Sequence, residues 1–293
     1  MESIVTTNNV TNFHKYKEGE LLQLHEVLYE LLGEIHRICA KHGIPYFLIG
    51  GSAIGLYYDK AILPWDDDLD IGMTREDYNR FLSIASQELS PEYFLSYIDT
   101  DFHTPFFYAK VKKNGTLFVE GRYKNLEMHH GIFVDIFPFD KIPQNKVLRS
   151  LHYKTANFLK CCFMGKEIWL WNSFGKCQID KPLPRSAFSC FINKLLNITL
   201  SKKAMYKLNV AVQTLFNRTK STMYSNAVTK TDTVLKSELD SITTGCFGPI
   251  EIYTLKNVEP FLLRNFPTLH RYTDEEVEKL QCNHAPSVLS FNE

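Results

Sequence analysis

The sequence lacks the features that mark membrane, secreted and disulfide-stabilised proteins. No uninterrupted apolar run reaches the roughly 18 residues that cross a bilayer. The first twenty residues contain no basic segment followed by an apolar one, so we expect no signal peptide. The seven cysteines are scattered, with no CxxC pair and no His-Cys metal spacing. This pattern favours reduced cysteines and a cytoplasmic localisation.

The chain also lacks a net charge. Its 293 residues include 33 basic and 33 acidic side chains. That balance gives no overall positive field for nucleic acid, and we expect no nucleic-acid partner. Repeats and low-complexity segments are missing too. Apolar residues are plentiful at 44%, which is enough for a sizeable core.

Helix and strand patterns alternate through the first half of the chain. Apolar residues from Leu21 to Cys39 recur at helical spacing, and Gly43 follows as a C-terminal cap. A capped helix is predicted to begin near Thr74, and a short one spans 53–58. Strands are expected at 46–49, 69–73, 93–97, 106–111, 117–120 and 131–137. The alternation predicts an α+β fold, a mixed sheet flanked by helices.

The second half of the sequence has a different pattern of apolar residues. Residues 145–240 carry helical periodicity with little strand signal, and a break is expected near 181–184. One strand at 250–255 and one helix at 258–266 follow. We therefore divide the chain into an N-terminal tail (1–19), a core of alternating helices and strands (20–145) and a mostly helical region packed on that core (146–293).

Four aspartates crowd into five positions, Asp66, Asp67, Asp68 and Asp70. Alternation along a strand places Asp68 and Asp70 on one face, whereas Asp66 and Asp67 are expected to shape the preceding turn or support the site. Asp135 stands alone in the apolar strand 131–137, where an unpaired carboxylate costs several kcal/mol to bury. If the two strands are neighbours, three carboxylates meet. A single hard divalent cation, Mg²⁺ or Mn²⁺, could bind all three carboxylates.

A second element precedes the acids. Gly50, Gly51 and Ser52 form a predicted strand-to-helix turn, where glycine allows close backbone approach and free N–H groups attract anions. A phosphate held there beside a metal is the arrangement that phosphoryl transfer needs. Each feature alone has an ordinary explanation: a tight turn, a solvated acidic loop, or a buried acid paired with Lys or Arg. Their combined spacing is much more specific.

The combined motifs resemble the LicD family of phosphocholine transferases, in the nucleotidyltransferase-fold superfamily and related to the fukutin group. The matching segments are 44–52, 62–73, 75–78, 114–116 and 131–140, within residues 20–145. The resemblance implies that residues 20–145 are a nucleotidyltransferase-like catalytic core that transfers a phospho-alcohol, and that residues 146–293 bind the acceptor or the donor. Typically this is phosphocholine from CDP-choline, moved onto a sugar hydroxyl of a surface glycan such as lipopolysaccharide or teichoic acid.

The resemblance also implies residue roles. Asp68 and Asp70 would be metal ligands, and Asp135 would be a third ligand or the base for the acceptor hydroxyl. The Gly50–Ser52 turn would hold the donor phosphates, and Lys110 would contact a phosphate. The chain departs from the family at Tyr57-Tyr58, near where members commonly carry an Arg-His pair, which leaves the donor's identity open. The late His284 resembles the family's C-terminal end only faintly.

Two other functions fit the same residues. One is nucleotidyl transfer, adding NMP to a small molecule or glycan, and the other is an inactive binding module of the same fold. The expected partners are a CDP-alcohol, a glycan or lipid-linked oligosaccharide acceptor, and the inner membrane face as a peripheral contact. Two groups of side chains are open to a binding role or to ordinary helix packing and solvation. They are the aromatic Tyr153, Phe163, Trp169 and Trp171, and the basic Lys202, Lys203, Lys207, Arg218 and Lys220.

Overall fold

The computed structural model describes residues 16–121, 123–173, 187–226, 232–273, 275–277 and 286–292, and for 167–173, 187–190 and 193 it describes the backbone alone. The helices are α1 (Glu20–His42), α2 (Gly50–Tyr58), α3 (Arg75–Glu88), α4 (Lys146–Ser173), α5 (Ala187–Thr199), α6 (Lys202–Gln213), α7 (Lys236–Leu239) and α8 (Glu259–Asn265). The strands are β1 (Phe47–Leu48), β2 (Asp70–Thr74), β3 (Tyr93–Ser96), β4 (Ala109–Lys113), β5 (Leu117–Val119), β6 (Phe133–Lys141), β7 (Met223–Ser225), β8 (Thr233–Leu235), β9 (Ile242–Phe247), β10 (Ile250–Leu255) and β11 (Val288–Ser290).

A seven-stranded mixed sheet takes five strands from the first half of the chain and two, β7 and β8, from the second half. Its order is β1-β2-β6-β4-β3, with β7 added along β6 and β8 along β7. Strands β2 and β6 run parallel, and the other neighbours in this sheet run antiparallel. Helices α1 and α3 pack against this sheet and against each other. The predicted α+β fold is confirmed.

Helix α1 forms where the apolar spacing predicts it. Leu24, Leu28, Leu31 and Ile35 recur every three or four residues, so they share one face, and all four are fully buried. The helix ends at Gly43, whose φ of 59° is the left-handed conformation that glycine adopts most readily. The N-terminus of α3 is also as predicted, because Thr74 Oγ1 accepts a hydrogen bond from the backbone N–H of Asp77 at 3.3 Å.

Strand β6 is the central strand, and it extends four residues beyond the predicted end at 137. The extension carries Asp140, which pairs with Ser225 of β7 in the strand register. The Asp140 carboxylate is buried, and two side chains from distant elements stabilise it. Arg75 Nη2 donates to it at 2.6 Å and Asn217 Nδ2 at 2.7 Å. A sequence pattern cannot supply these partners, because they lie 65 and 77 residues away.

The second half contains more strand than the sequence indicates. Helices α4, α5 and α6 occur within the stretch predicted to be helical, but β7 and β8 add to the main sheet from the same stretch. The strand predicted at 250–255 is confirmed as β10, and it pairs with the unpredicted strand β9 in a hairpin. The break expected at 181–184 lies outside the described residues. Among the helices of the described part, none has both the length and the apolar character to cross a bilayer.

Candidate functional site

The sheet places Asp70 and Asp135 side by side on neighbouring strands. The two residues are Cα partners in the parallel pairing of β2 with β6. The backbone N–H of Asp135 donates to the carbonyl of Leu69 at 2.9 Å, which fixes this register. Residues paired across two strands present their side chains to the same face. The adjacency on which the predicted carboxylate site depends is therefore present.

Asp68 lies two residues before β2, in an irregular segment, so it does not share a strand face with Asp70 as predicted. It nevertheless belongs to the same electrostatic site as Asp70. Burial raises the pKa of Asp70 well above its usual range, and the negative charges of Asp68 and then Asp135 raise it further. These three acids are the predicted set, and they are close enough to disfavour full ionisation of one another.

Asp135 itself is buried, and its pKa is raised to about 7. Burial is the largest cause; Lys110 opposes it by lowering the pKa, and Glu120 and Asp68 add to the increase. A carboxyl group with a pKa near neutral is suited either to accept a proton or to bind a cation that replaces the proton.

The two acids before Asp68 are held by α1 and the segment leading into it. Tyr16 donates its hydroxyl hydrogen to Asp67 Oδ2 at 2.6 Å. His25 Nε2 lies 2.7 Å from the backbone carbonyl of Asp66. Each of Asp66, Asp67 and Asp68 offers one carboxylate oxygen within 4.8 Å of the other two. The acidic segment is thus compact, and contacts with Tyr16 and His25 help to set its conformation.

Residues Gly50–Ser52 form the first turn of α2, whereas the sequence predicted a separate turn before a helix beginning at 53. Gly50 has a φ of 56°, and a Cβ there would lie 3.3 Å from Asp70 Oδ2. Ser52 Oγ accepts a hydrogen bond from the backbone N–H of Asp70 at 2.9 Å. The glycine motif and the first residue of β2 are therefore in direct contact.

Gly51→Ala tests how tightly the two motifs pack. A Cβ on Gly51 would lie 2.4 Å from Asp66 Oδ2, so the carboxylate of Asp66 must shift. We expect a loss of about 1–2 kcal/mol in the free energy of unfolding, measured by urea denaturation. The matched control is Gly33→Ala in α1, where a Cβ meets no atom within 4 Å and should add about 0.5–1 kcal/mol. A shift of the same sign in both variants would contradict this packing.

Lys110 is a buried cation at the base of the site, not a solvated lysine at a strand edge. Its Nζ lies 3.0 Å from Asp135 Oδ1 and 3.4 Å from Glu120 Oε2, and the contact with Asp135 is an ion pair rather than an aligned hydrogen bond. The ammonium also sits 3.3 Å from the ring centroid of Phe133 and 4.3 Å from that of Phe106. Burial lowers the pKa of Lys110, but Asp135 and Glu120 outweigh it and keep the group charged.

The site also contains two residues that the sequence did not predict, Asp232 and Tyr108. Asp232, directly before β8, is buried, accepts a hydrogen bond from Asn226 Nδ2 at 2.9 Å, and adds to the raised pKa of Asp70. Tyr108 lies beside Asp135, since burial and then the Asp135 charge raise the pKa of its hydroxyl. For Asp232, the sequence offers one indication of a role in the site. It is an isolated acid before a short apolar strand, in a segment that matches no motif.

The departure from the family at Tyr57-Tyr58 lies at the end of α2. Tyr57 donates its hydroxyl hydrogen to Glu259 Oε1 of α8 at 2.9 Å, and its ring packs edge-on against Tyr58. Close by, Arg271 Nη2 lies 2.5 Å from Asp59 Oδ1. The C-terminal part of the chain therefore closes against α2 here. His284, Trp169 and Trp171 lie outside the residues whose side chains are described.

Comparison with known proteins identifies the same region. Residues 43–164 match the family model described as LicD/FKTN/FKRP, nucleotidyltransferase domain, which confirms the resemblance to the LicD family. The chain is 31% identical over 147 residues to the lipopolysaccharide cholinephosphotransferase LicD of Haemophilus influenzae, covering 49% of this chain and 54% of that protein. An uncharacterized protein of Rickettsia typhi is 28% identical over 130 residues, covering 44% and 40%. The chain thus spans about half the length of the curated relatives it matches, or less.

Proposed function

We propose that this protein is a metal-dependent transferase of phospho-alcohols. The proposal starts from the match of residues 43–164 to the nucleotidyltransferase domain of the LicD family. The transferred group is phosphocholine or a related phospho-alcohol. The donor is CDP-choline or another CDP-alcohol, and the acceptor is a sugar hydroxyl of a cell-surface glycan such as lipopolysaccharide. The reaction would take place on the cytoplasmic side of the membrane.

The observation that carries the proposal is the pairing of Asp70 with Asp135 across β2 and β6, next to the first turn of α2. Carboxylates on neighbouring strands lie beside a helix N-terminus, which attracts phosphate. Lys110 provides one positive charge for Asp135, whereas Asp70 keeps a strongly raised pKa.

The side chains fit a hard divalent cation. Asp68, Asp70 and Asp135 supply only carboxylate oxygens, which Mg²⁺ and Mn²⁺ prefer. Burial, and then the negative charges of Asp68 and Asp135, raise the pKa of Asp70. We assign Asp68 and Asp70 as the ligands, with Asp135 as a third ligand or as the base for the acceptor hydroxyl. A bound cation would offset that charge and polarise the donor phosphate.

The protein's own groups have distinct roles around the phosphate. The N–H groups of Gly50, Gly51 and Ser52 at the start of α2 would hold the donor phosphates. Asp135 is the candidate base for the acceptor hydroxyl, since a pKa of about 7 allows it to take a proton at neutral pH. Lys110 lowers the pKa of Asp135. A phosphate bound near the Asp135 carboxylate would also be attracted by the positive charge of Lys110.

The direct test is product analysis. The purified protein is incubated with Mg²⁺, a panel of CDP-alcohols and a lipopolysaccharide or teichoic acid acceptor, and the products are analysed by mass. The proposal expects an acceptor carrying the phospho-alcohol together with free CMP. Acceptor carrying CMP would instead establish nucleotidyl transfer. Binding of CDP-choline with neither product would indicate an inactive binding module.

Thermal denaturation at two pH values tests the metal site without an acceptor. In the folded protein the pKa of Asp135 is raised from 3.8 to about 7, and that of Asp70 is raised in the same direction. The folded state therefore holds more protons than the unfolded state between about pH 4 and 7, and these groups lower stability as the pH rises through that window. At pH 7.5 we expect Mg²⁺ or Mn²⁺ to raise the Tm by roughly 5 °C, and by much less at pH 5. An equal response at both pH values would argue against carboxylate ligands.

A further inference from the structure

The neutral chain carries its charge very unevenly. Residues 141–226 contain fifteen Lys or Arg and two acidic residues, a formal charge of +13. Since the whole chain sums to zero, the remaining residues carry −13. The positive segment comprises α4, α5 and α6, and it lies mostly outside the acidic site. Such a concentration of one sign attracts an anionic surface.

Helix α5 presents an apolar face to solvent within this positive segment. Phe191, Leu195 and Ile198 are 62%, 45% and 67% exposed, and their spacing of four and three residues places them on one side of the helix. Lys194 is exposed between them. We call these four residues the outer face of α5. Full burial of side chains of this size stabilises a protein by about 1.5–3 kcal/mol each, so exposing three is costly.

The outer face of α5 is not the face that holds the helix to the protein. Leu196, on another side, packs against a buried cluster that includes Phe107, Phe163 and Met205. Lys166 of α4 also donates to the carbonyl of Asn197 at 2.9 Å and to that of Leu200. Contacts with the rest of the protein therefore hold α5 in place through another side, and the outer face of α5 is exposed for binding a partner.

We propose that the outer face of α5 docks on the surface of an anionic lipid bilayer. Phe191, Leu195 and Ile198 would enter the headgroup region, while the exposed Lys194 and Lys207 of the positive segment would face the lipid phosphates. The helix would lie on the bilayer, in keeping with the lack of a spanning helix among those described. A second copy of the chain is a poorer occupant, because two segments of +13 repel each other. This docking does not depend on the proposed chemistry.

Vesicle flotation tests the apolar part of the proposal. The full-length protein is mixed with vesicles of phosphatidylcholine alone or of phosphatidylcholine and phosphatidylglycerol in equal parts. Binding is expected to the second kind and to weaken as salt is raised. Phe191→Ser combined with Ile198→Ser should weaken binding about tenfold or more. The matched control is Leu22→Ser in α1, 69% exposed and outside the positive segment, which should bind like the unaltered protein.

Charge variants test the electrostatic part. Lys207→Glu in α6 should weaken binding about fivefold or more, because each cation near an anionic surface contributes about 1 kcal/mol. Lys256→Glu, equally on the surface but outside the positive segment, should have little effect. Equal binding to both kinds of vesicle would overturn the proposal. So would light scattering that shows a dimer which Phe191→Ser and Ile198→Ser dissociate, because the face would then be covered by a second copy.

Discussion

Asp70→Asn is expected to reduce transfer from a CDP-alcohol by about two to three orders of magnitude while the protein stays folded. The substitution keeps the size of the side chain, and Ser52 bonds to the backbone N–H of residue 70, so this link persists. What is lost is one of the carboxylates facing Asp68 and Asp135, and with it the negative charge that would hold the cation and the phosphate. The measurement is the initial rate of acceptor modification at saturating Mg²⁺.

The same substitution is expected to stabilise the metal-free protein. Because burial and neighbouring charges raise the pKa of Asp70, its ionised form is unfavourable in the folded state. Removing that charge should therefore raise the Tm at pH 7.5 without metal, and the stabilisation by Mg²⁺ should shrink. Asp99→Asn is the control, since this acid is 58% exposed and pairs with the exposed Lys203. Asp70→Asn with full activity and an unchanged response to Mg²⁺ would exclude Asp70 as a ligand.

The parts of the fold that the sequence predicts are those set by local patterns. The apolar stripe of α1, the Thr74 cap of α3 and the strand at 250–255 each depend on residues within one element. The pairing of β2 with β6 was also accessible, although it joins residues 65 apart. A lone carboxylate in an apolar strand requires a partner, and a divalent cation shared with the acids of a neighbouring strand was the candidate.

The parts that sequence reasoning missed depend on contacts between distant segments. Asp140 can be buried because Arg75 and Asn217 reach it, and this allows β6 to continue and β7 to pair with it. Asp232 contributes to the site only because β8 joins the same sheet. The position of Lys110 was also hidden, since one lysine among alternating residues gives no sign that aromatic rings and two carboxylates surround it. Single-segment patterns do not contain these relations.

The glycine motif shows how a correct residue choice can accompany a wrong boundary. The sequence indicated that Gly50–Ser52 turns the chain into a helix, and the structure makes these residues the first turn of that helix. The difference matters for the chemistry, because the N–H groups at this end have no earlier helical turn to accept from them. The phosphate-binding role remains a prediction, and the boundary favours it.

Lys110→Met is expected to cost about 3–5 kcal/mol in the free energy of unfolding at pH 8, because it leaves Asp135 and Glu120 without their buried cation. Methionine retains an apolar stem over the rings of Phe133 and Phe106, so the packing loss is small. The control is Lys113→Met on the same strand. Lys113 pairs with the more exposed Glu30, and its loss should cost about 1 kcal/mol or less.

The pH dependence of this variant separates a charge effect from general damage. Lys110 lowers the pKa of Asp135, so its removal must move that pKa above about 7. At pH 6 Asp135 is then largely protonated in both proteins, and the penalty should be smaller than at pH 8, where the variant still holds a proton that the unfolded state has lost. If Asp135 is the base for the acceptor hydroxyl, the rising limb of the pH–rate profile should shift to higher pH in Lys110→Met and stay in place in Lys113→Met. A penalty independent of pH, with an unshifted profile, would show that Lys110 acts through packing alone.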